Sequence, residues 1–207
     1  MSKLLIATNN PGKLREIQAI LQDLGVELLS LAQVGLNMTV EEDGQTYAEN
    51  AARKGVTYAR AAGMITLSDD SGLEVDALDG LPGLRSARFA PKANATDSDR
   101  RMYLLQRLQG KPRPWKARFH CVVAIVIPAG LVALEEQCQF AEGVCLGEII
   151  PEERGNNGFG YDPVFLLPEI GRTMAELSIE EKNRLSHRSR AVRASLPILV
   201  DVLKNIK

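Results

Sequence analysis

Two adjacent carboxylates, Asp69 and Asp70, follow a short apolar run and precede Ser71 and Gly72. The run at residues 64–67 predicts a buried strand, so we expect the carboxylates to lie at its carboxyl end. In open α/β sheets, ligands bind in the crevice beyond those ends, and neighbouring carboxylates are natural ligands for Mg²⁺. Asp, Ser and Gly also form Asx-turns. This stretch alone therefore leaves two interpretations open, a turn and a metal site.

A second polar stretch follows the predicted first strand and opens a helix. It consists of Thr8, Asn9, Asn10, Pro11, Gly12 and Lys13. Asn10 suits the N-cap and Pro11 the first helical position, so we expect free backbone N–H groups and the positive end of the helix dipole beside Lys13. The stretch lacks the pattern of a Walker A loop. It predicts either a phosphate cradle or an ordinary capped helix.

Two further stretches are rich in glycine. In residues 155–163, Gly158 and Gly160 flank Phe159, and this spacing leaves an aromatic face open to a flat partner such as a nucleobase. A turn with Phe159 in the core is the alternative. Residues 79–88 contain too much Gly and Pro for regular structure, so a long loop is predicted there.

Cationic side chains concentrate towards the C-terminal end. Lys182 lies in one predicted helix, and His187 and Arg188 open the next. Such residues form either a solvent-exposed cationic face or an anion-binding surface, and the local sequence leaves both open.

Composition limits the class of protein. The 207 residues are 45% hydrophobic and 25% charged, which is enough apolar material for a full core in one domain or in a two-lobed one. A net charge of -1 argues against nucleic-acid binding through bulk electrostatics. Three cysteines without CxxC spacing and without a signal peptide predict reduced thiols and a cytoplasmic location. No apolar run approaches the roughly 20 residues of a membrane helix, so no membrane anchor is expected.

Hydrophobic spacing predicts alternating strands and helices, and hence an α/β fold. Strands are predicted at residues 3–7, 26–31, 64–67 and 116–127, with two more in 131–150. Helices are predicted to begin near residues 10, 46, 96, 178 and 186. Thr46 with Glu49, and Ser178 with Glu181, match the capping box. Pro197 is expected to kink or break the last helix.

Together, these motifs resemble the non-canonical purine nucleoside triphosphate pyrophosphatase family, which hydrolyses inosine, deoxyinosine and xanthosine triphosphates. The matching motifs are Thr8-x-Asn10-x-x-Lys13, Glu42, Ser68-Asp69-Asp70-Ser71-Gly72-Leu73, Gly83-x-x-Ser86-Ala87-Arg88, Phe159-Gly160-Tyr161-Asp162 and Ser186-His187-Arg188. The resemblance implies one domain over residues 1–207, with an elongated mixed sheet and flanking helices forming two lobes around a nucleotide-binding cleft. It also implies a homodimer, a Mg²⁺ requirement, and cleavage to a monophosphate and pyrophosphate.

The resemblance further implies a role for each matching position. Residues 8–13 would hold the triphosphate, Glu42 and Asp70 the metal, and Asp70 would also accept a proton. The nucleotide would be held by Ser71, Phe159, Gly160, Tyr161, Asp162, Lys182, His187 and Arg188. The role of Asp69 stays open between a water-mediated metal ligand and a residue that orients Asp70.

Two other classes compete with this interpretation. A nucleotide sensor without turnover has no use for the acidic cluster, whose mutual repulsion requires a metal to offset it. A module for single-stranded RNA would show a basic balance and several exposed aromatics, whereas this chain is 5% aromatic with a net charge of -1. The sequence therefore favours an enzyme.

Overall fold

The computed structural model describes residues 2–132 and 134–204, which contain seven strands and six α-helices. The strands are β1 (Lys3–Ile6), β2 (Glu27–Ser30), β3 (Thr66–Val75), β4 (Trp115–Ile127), β5 (Gln137–Ile149), β6 (Phe165–Leu167) and β7 (Arg172–Thr173). The helices are α1 (Pro11–Leu21), α2 (Tyr47–Ala62), α3 (Asp97–Leu108), α4 (Ile179–Leu185), α5 (His187–Ala194) and α6 (Leu196–Lys204). None of the helices in the described part of the chain has the length and apolar character needed to cross a membrane.

The strands form one mixed sheet in the order β2-β1-β3-β4-β5-β6-β7. β1 pairs in parallel with β2 and β3, whereas β6 pairs antiparallel with β5 and β7. The predicted α/β class and mixed sheet are therefore confirmed. The chain divides into two compact units. The first takes the described residues of Met1–Asp70, Cys121–Gly143 and Arg188–Lys207, and the second takes Ser71–His120 and Val144–His187.

The first unit has helices on both faces of its strands. Leu4 and Ile6 of β1 contribute to a core that also contains residues of α1, α5 and α6. Leu5 and Ala7, which point to the other face, belong to a second core with Tyr58 of α2. Because both faces are covered, β1 is apolar along nearly its whole length.

A close approach joins α2 to β3 in this unit. A Cβ atom on Gly55 of α2 would lie 2.6 Å from Ser68 Oγ and 2.7 Å from Val126 Cγ2. The hydroxyl of Ser68 donates to the carbonyl of Ala51, one turn earlier on the helix, at 2.6 Å. Glycine is therefore needed at position 55 so that α2 packs directly against the strand.

The second unit has a separate core. Leu104 and Leu108 of α3 pack with Trp115 and Phe119 of β4 and with Phe165 of β6. The rings of Phe119 and Phe165 lie 4.4 Å apart between centroids. This aromatic contact joins the long strand β4 to the short β6 hairpin within the unit.

Several predicted elements are confirmed. α1, α2, α3 and α4 begin at their predicted caps, and β1, β2 and β4 occupy their predicted positions. The break at Pro197 is also confirmed, because α5 ends at Ala194 and α6 starts at Leu196. The capping box at Ser178 and Glu181 is present.

Four predictions need correction. Residues 131–150 contain one described strand, β5, and not two, and residues 79–88 contain a 3₁₀ segment, Gly83–Arg88. Thr46 caps α2, but the carboxylate of Glu49 accepts from the backbone N–H of Gln45, so the capping box is not closed. The predicted strand at residues 64–67 is the beginning of a much longer strand, whose consequence for the carboxylates is described below.

Candidate active site

Asp69 and Asp70 lie inside β3 and not after its end, so the predicted turn and the predicted strand end are both wrong. The partner strand β1 stops earlier, since its last pair joins Ile6 to Leu67. The carboxylates therefore follow the carboxyl end of β1, where the crevice argument still applies. Because neighbouring strand residues point to opposite faces, Asp69 faces α1 and α5, and Asp70 faces α2.

Asp69 is surrounded by cations. Its Oδ2 atom lies 3.0 Å from Lys13 Nζ of α1 and 3.2 Å from Arg188 Nε of α5. Burial opposes ionisation of this fully buried side chain, but Lys13 and Arg188 together hold the pKa of Asp69 well below its usual value. Its Oδ1 atom is also buried and has no hydrogen-bond partner among the described residues. Asp69 is therefore a carboxylate anchored by one oxygen.

Arg188 is itself buried between two carboxylates. Its Nη1 atom donates to Glu16 of α1, and its Nε atom donates to Asp69. Only 1% of Arg188 is exposed, and Glu16 is 4% exposed. Paired carboxylates on both sides offset the cost of burying the guanidinium. In this structure Arg188 acts on Asp69, and its predicted contact with the nucleotide stays a prediction.

Asp70 has a different environment on the other face. Its Oδ2 atom accepts from Asn50 Nδ2 of α2 at 2.9 Å. Burial raises the pKa of Asp70, and the nearby Glu42 adds to the rise, while Lys13, Asn50 and Lys54 oppose it. A carboxylate with a raised pKa is better suited to accept a proton near neutral pH. The two neighbouring carboxylates therefore have opposite shifts, which suit different roles.

The residues predicted to hold a metal are Glu42 and Asp70. Within residues 2–132 and 134–204, no group of three or more His, Cys, Asp or Glu side chains is arranged to hold a metal ion. Mg²⁺ is commonly held by one or two carboxylates together with substrate phosphates, so this pair fits such an ion. Lys54 Nζ donates to Glu42 in the structure, so Mg²⁺ would have to share the Glu42 carboxylate with Lys54.

The polar stretch at residues 8–13 forms a closed turn. Asn10 Oδ1 accepts from the backbone N–H groups of Gly12 at 2.8 Å and Lys13 at 3.1 Å, and Thr8 Oγ1 accepts from the N–H of Asn10 at 3.2 Å. Pro11 has no N–H group. The prediction of free amides at the start of α1 is therefore wrong, because its own cap uses them. A phosphate here would contact side chains or displace the cap.

The second unit contains the predicted aromatic loop. Phe159 is half-buried and lies outside the core clusters of the described residues, which favours the open-face interpretation. Lys182 Nζ lies 4.9 Å from the ring centroid and donates to Asp162 Oδ2 at 2.6 Å. The backbone N–H of Phe159 donates to the same oxygen at 2.9 Å. Phe159, Asp162 and Lys182 thus form one cluster.

The other predicted nucleotide residues of this unit lie in the same loop or have contacts of their own. Gly160 and Tyr161 continue the loop, and the hydroxyl of Tyr161 donates to the carbonyl of Ser86 at 2.9 Å. His187 is buried and stacks on Phe119, with ring centroids 4.7 Å apart and an interplanar angle of 15°. Ser71 is half-buried in β3. No residue of this unit was predicted to bind metal.

Several polar residues of the site escaped prediction. Asn50 and Lys54 lie on the buried stripe of α2, one turn apart, among Tyr47, Ala51, Gly55 and Tyr58. Two polar residues on an otherwise apolar stripe were a usable signal, because buried polar groups need partners. Glu16 was a weaker signal of the same kind on α1.

Comparison with known proteins gives consistent matches over nearly the whole chain. The model of the Ham1 family matches residues 4–198. A dITP/XTP pyrophosphatase of Desulforamulus reducens is 44% identical over 200 residues, covering 95% of each chain. The protein of the same description from Thermus thermophilus is 46% identical over 202 residues, covering 96% of this chain and 92% of its own. The solved structure of a HAM1 protein from Coxiella burnetii aligns with a TM-score of 0.83 at 38% identity, covering 97% of this chain and 100% of that chain.

Proposed function

This chain belongs to the Ham1 family, and on that premise we propose that it hydrolyses non-canonical purine nucleoside triphosphates. The substrates are deoxyinosine, inosine and xanthosine triphosphates, and the products are the nucleoside monophosphate and pyrophosphate. The observation that carries the proposal is the division of Asp69 and Asp70 between two faces of β3. One carboxylate is fixed by cations, and the other keeps a raised pKa beside Glu42.

The chemistry assigns the proton to Asp70. A water oxygen bonds to the α-phosphorus. The bond from the α-phosphorus to the oxygen that bridges it to the β-phosphate breaks, and this oxygen leaves with pyrophosphate. Asp70 accepts the proton of the attacking water, while Asn50 holds the carboxylate through Oδ2. Mg²⁺, held by Glu42 and Asp70, would neutralise charge on the phosphates and lower the pKa of the water.

Lys13 and Asp69 complete the phosphate end of this proposal. Lys13 supplies a positive charge for the triphosphate, and Asp69 holds its ammonium group in place at 3.0 Å. Thr8, Asn9, Asn10, Pro11 and Gly12 form the turn that precedes it. Since Asp69 is held by Lys13 and Arg188, it acts in this proposal by orienting Lys13 and not as a second base.

In this proposal the aromatic loop binds the purine base of the nucleotide. Phe159 stacks on the purine, and Asp162 fixes both the Phe159 N–H and the Lys182 ammonium group. Ser71, Gly160, Tyr161, His187 and Arg188 retain their expected roles around the nucleotide. Donor groups at this end favour purines with a carbonyl at position 6, because the amino group of adenine would leave those donors unpaired.

The test is pyrophosphate release across a panel of nucleotides at saturating Mg²⁺. We expect the catalytic efficiency with inosine or xanthosine triphosphate to exceed that with adenosine triphosphate by at least about 100-fold. Ribose and deoxyribose forms should behave nearly alike. Equal efficiencies with inosine and adenosine triphosphates would refute the proposed selectivity. Binding without any pyrophosphate release would instead identify a nucleotide sensor.

Three further expectations accompany this function. We propose a homodimer, a cytoplasmic location, and a single domain whose two lobes enclose a nucleotide cleft. The dimer and the two lobes rest on the family resemblance, and the location rests on the cysteine pattern. No nucleic-acid or membrane partner is required for the reaction. Sedimentation of the purified chain would test the dimer directly, since a monomer at micromolar concentration would contradict it.

A further inference from the structure

The two peptide groups that flank Gly160, the residue after Phe159, are held by a helix that carries none of the predicted site residues. The backbone N–H of Gly160 donates to Asp97 Oδ2 of α3 at 2.7 Å. The carbonyl of Gly160 accepts from Arg101 Nη1 at 2.8 Å. Asp97 and Arg101 are four residues apart, so they lie on the same side of α3 and contact the same residue of the loop. We call this pair the α3 clamp.

The glycines of the loop make its backbone conformationally permissive. Gly158 has φ +79° and Gly160 has φ +62°, a backbone region that glycine enters freely and other residues rarely adopt. Glycine also loses more conformational freedom on folding than any other residue. The direction of an aromatic residue between two such glycines depends on the groups that hold the neighbouring peptides. Here those groups are Asp162, which bonds the N–H and the carbonyl of Phe159, and the α3 clamp, which bonds both ends of Gly160.

Both members of the clamp are themselves well anchored. Arg101 donates through Nε and Nη2 to the two carboxylate oxygens of Glu153, at 2.8 and 2.9 Å. Such a bidentate pair uses two guanidinium nitrogens and leaves the third, Nη1, to donate to Gly160. Asp97 also accepts from Arg100 through its other oxygen. The start of α3 is capped by Thr96 with Asp99, so helix capping does not require Asp97.

From this arrangement we propose that Asp97 and Arg101 are positioning residues that hold the Phe159 ring in the orientation for stacking on the purine base. The inference rests on the proposed function and deepens it. The clamp acts through the Gly160 peptide and touches neither phosphate nor metal. Its loss should therefore weaken recognition of the base and leave recognition of the phosphates unchanged.

The experiment separates base from phosphate by using two ligands. Inosine monophosphate carries the base, and inorganic tripolyphosphate carries only phosphates. Dissociation constants for both are measured by titration calorimetry on the full chain. Asp97→Ala and Arg101→Met should weaken inosine monophosphate binding by at least about fivefold, up to the full effect of Phe159→Ala, and change tripolyphosphate binding by less than about twofold.

Conservative and control variants sharpen the test. Asp97→Asn keeps an oxygen acceptor for the Gly160 N–H, so it should restore most of the affinity that Asp97→Ala loses. Arg107→Met removes an exposed cation from the same helix and should bind both ligands like the unchanged chain. In a Phe159→Ala background, Asp97→Ala should have no further effect on inosine monophosphate, because the clamp acts through that ring.

Each other outcome has a definite meaning. Clamp variants that bind inosine monophosphate normally, or lose both ligands equally, overturn the clamp, and so does an effect that adds to that of Phe159→Ala. Hydrolysis of deoxyinosine triphosphate by the unchanged chain is measured in parallel. If that hydrolysis occurs while the clamp variants behave normally, only the clamp fails. An unchanged chain that neither hydrolyses the triphosphate nor binds inosine monophosphate overturns both proposals.

Discussion

The guanidinium of Arg188 joins two buried carboxylates, and Arg188→Met removes it while keeping much of the side-chain volume. Removing one member of a buried ion pair costs about 3–5 kcal/mol, because the remaining charge stays buried. Here Asp69 would keep Lys13 at 3.0 Å, so the uncompensated charge falls mainly on Glu16. We therefore expect a loss near the lower end of that range, about 3 kcal/mol of unfolding free energy.

Urea unfolding at neutral pH measures this loss as a lower midpoint with an unchanged slope. Arg193→Met removes an exposed cation from the same helix and should leave the midpoint unchanged. Glu16→Gln combined with Arg188→Met removes the stranded charge and should recover at least about 1 kcal/mol. A loss below about 1 kcal/mol in the single variant, or no recovery in the double variant, would refute the view of Arg188 as the partner of two buried charges.

Four more variants test the site. Burial raises the pKa of Asp70 above its usual 3.8. The folded protein therefore loses stability as the pH rises above 3.8 and the buried carboxyl group has to ionise. Asp70→Asn should abolish turnover. Without metal, this variant should have a higher melting temperature than the unchanged chain at pH 7 but not below about pH 3.8. Equal melting temperatures of the two proteins at both pH values would contradict this. Phe159→Ala should weaken nucleotide binding by about 1–3 kcal/mol without a large change in melting temperature, whereas unchanged affinity with a large destabilisation would make Phe159 a core residue. Gly158→Ala should raise the KM for deoxyinosine triphosphate more than Gly160→Ala, because only at position 158 would the new Cβ overlap the Asp162 carboxylate. An equal rise in KM for the two variants would exclude that clash.

Local chemistry explains why much of the fold was predictable. The N-cap at Asn10 with Pro11 and the apolar pattern of β4 depend on residues close by in the chain. Sequence and structure therefore agree at both places. Partners far apart in the chain are different. Arg188 and Glu16 are 172 positions apart, and nothing in the flanking residues predicts that an arginine there is buried. Exposed and buried arginines differ only in what folds around them.

The extent of β3 escaped prediction for a related reason. Two aspartates, a serine and a glycine have low strand propensity, so the pattern indicates that the strand ends before Asp69. In the structure both faces of the strand at that point are occupied by polar partners from α1, α2 and α5. Those partners replace the apolar burial that normally extends a strand, and no local pattern encodes them.

The alternation of β3 also makes the site sensitive to chain length in a way that substitutions do not reveal. Deleting one residue between Thr66 and Asp69 would turn every following side chain to the opposite face. Asp70 would then point at Lys13 and Arg188, and Asp69 would take the place of Ser68 against α2, although both carboxylates would still be present. Homologues or engineered variants with an odd insertion or deletion in this segment should therefore be inactive, while changes of two residues preserve the two facings.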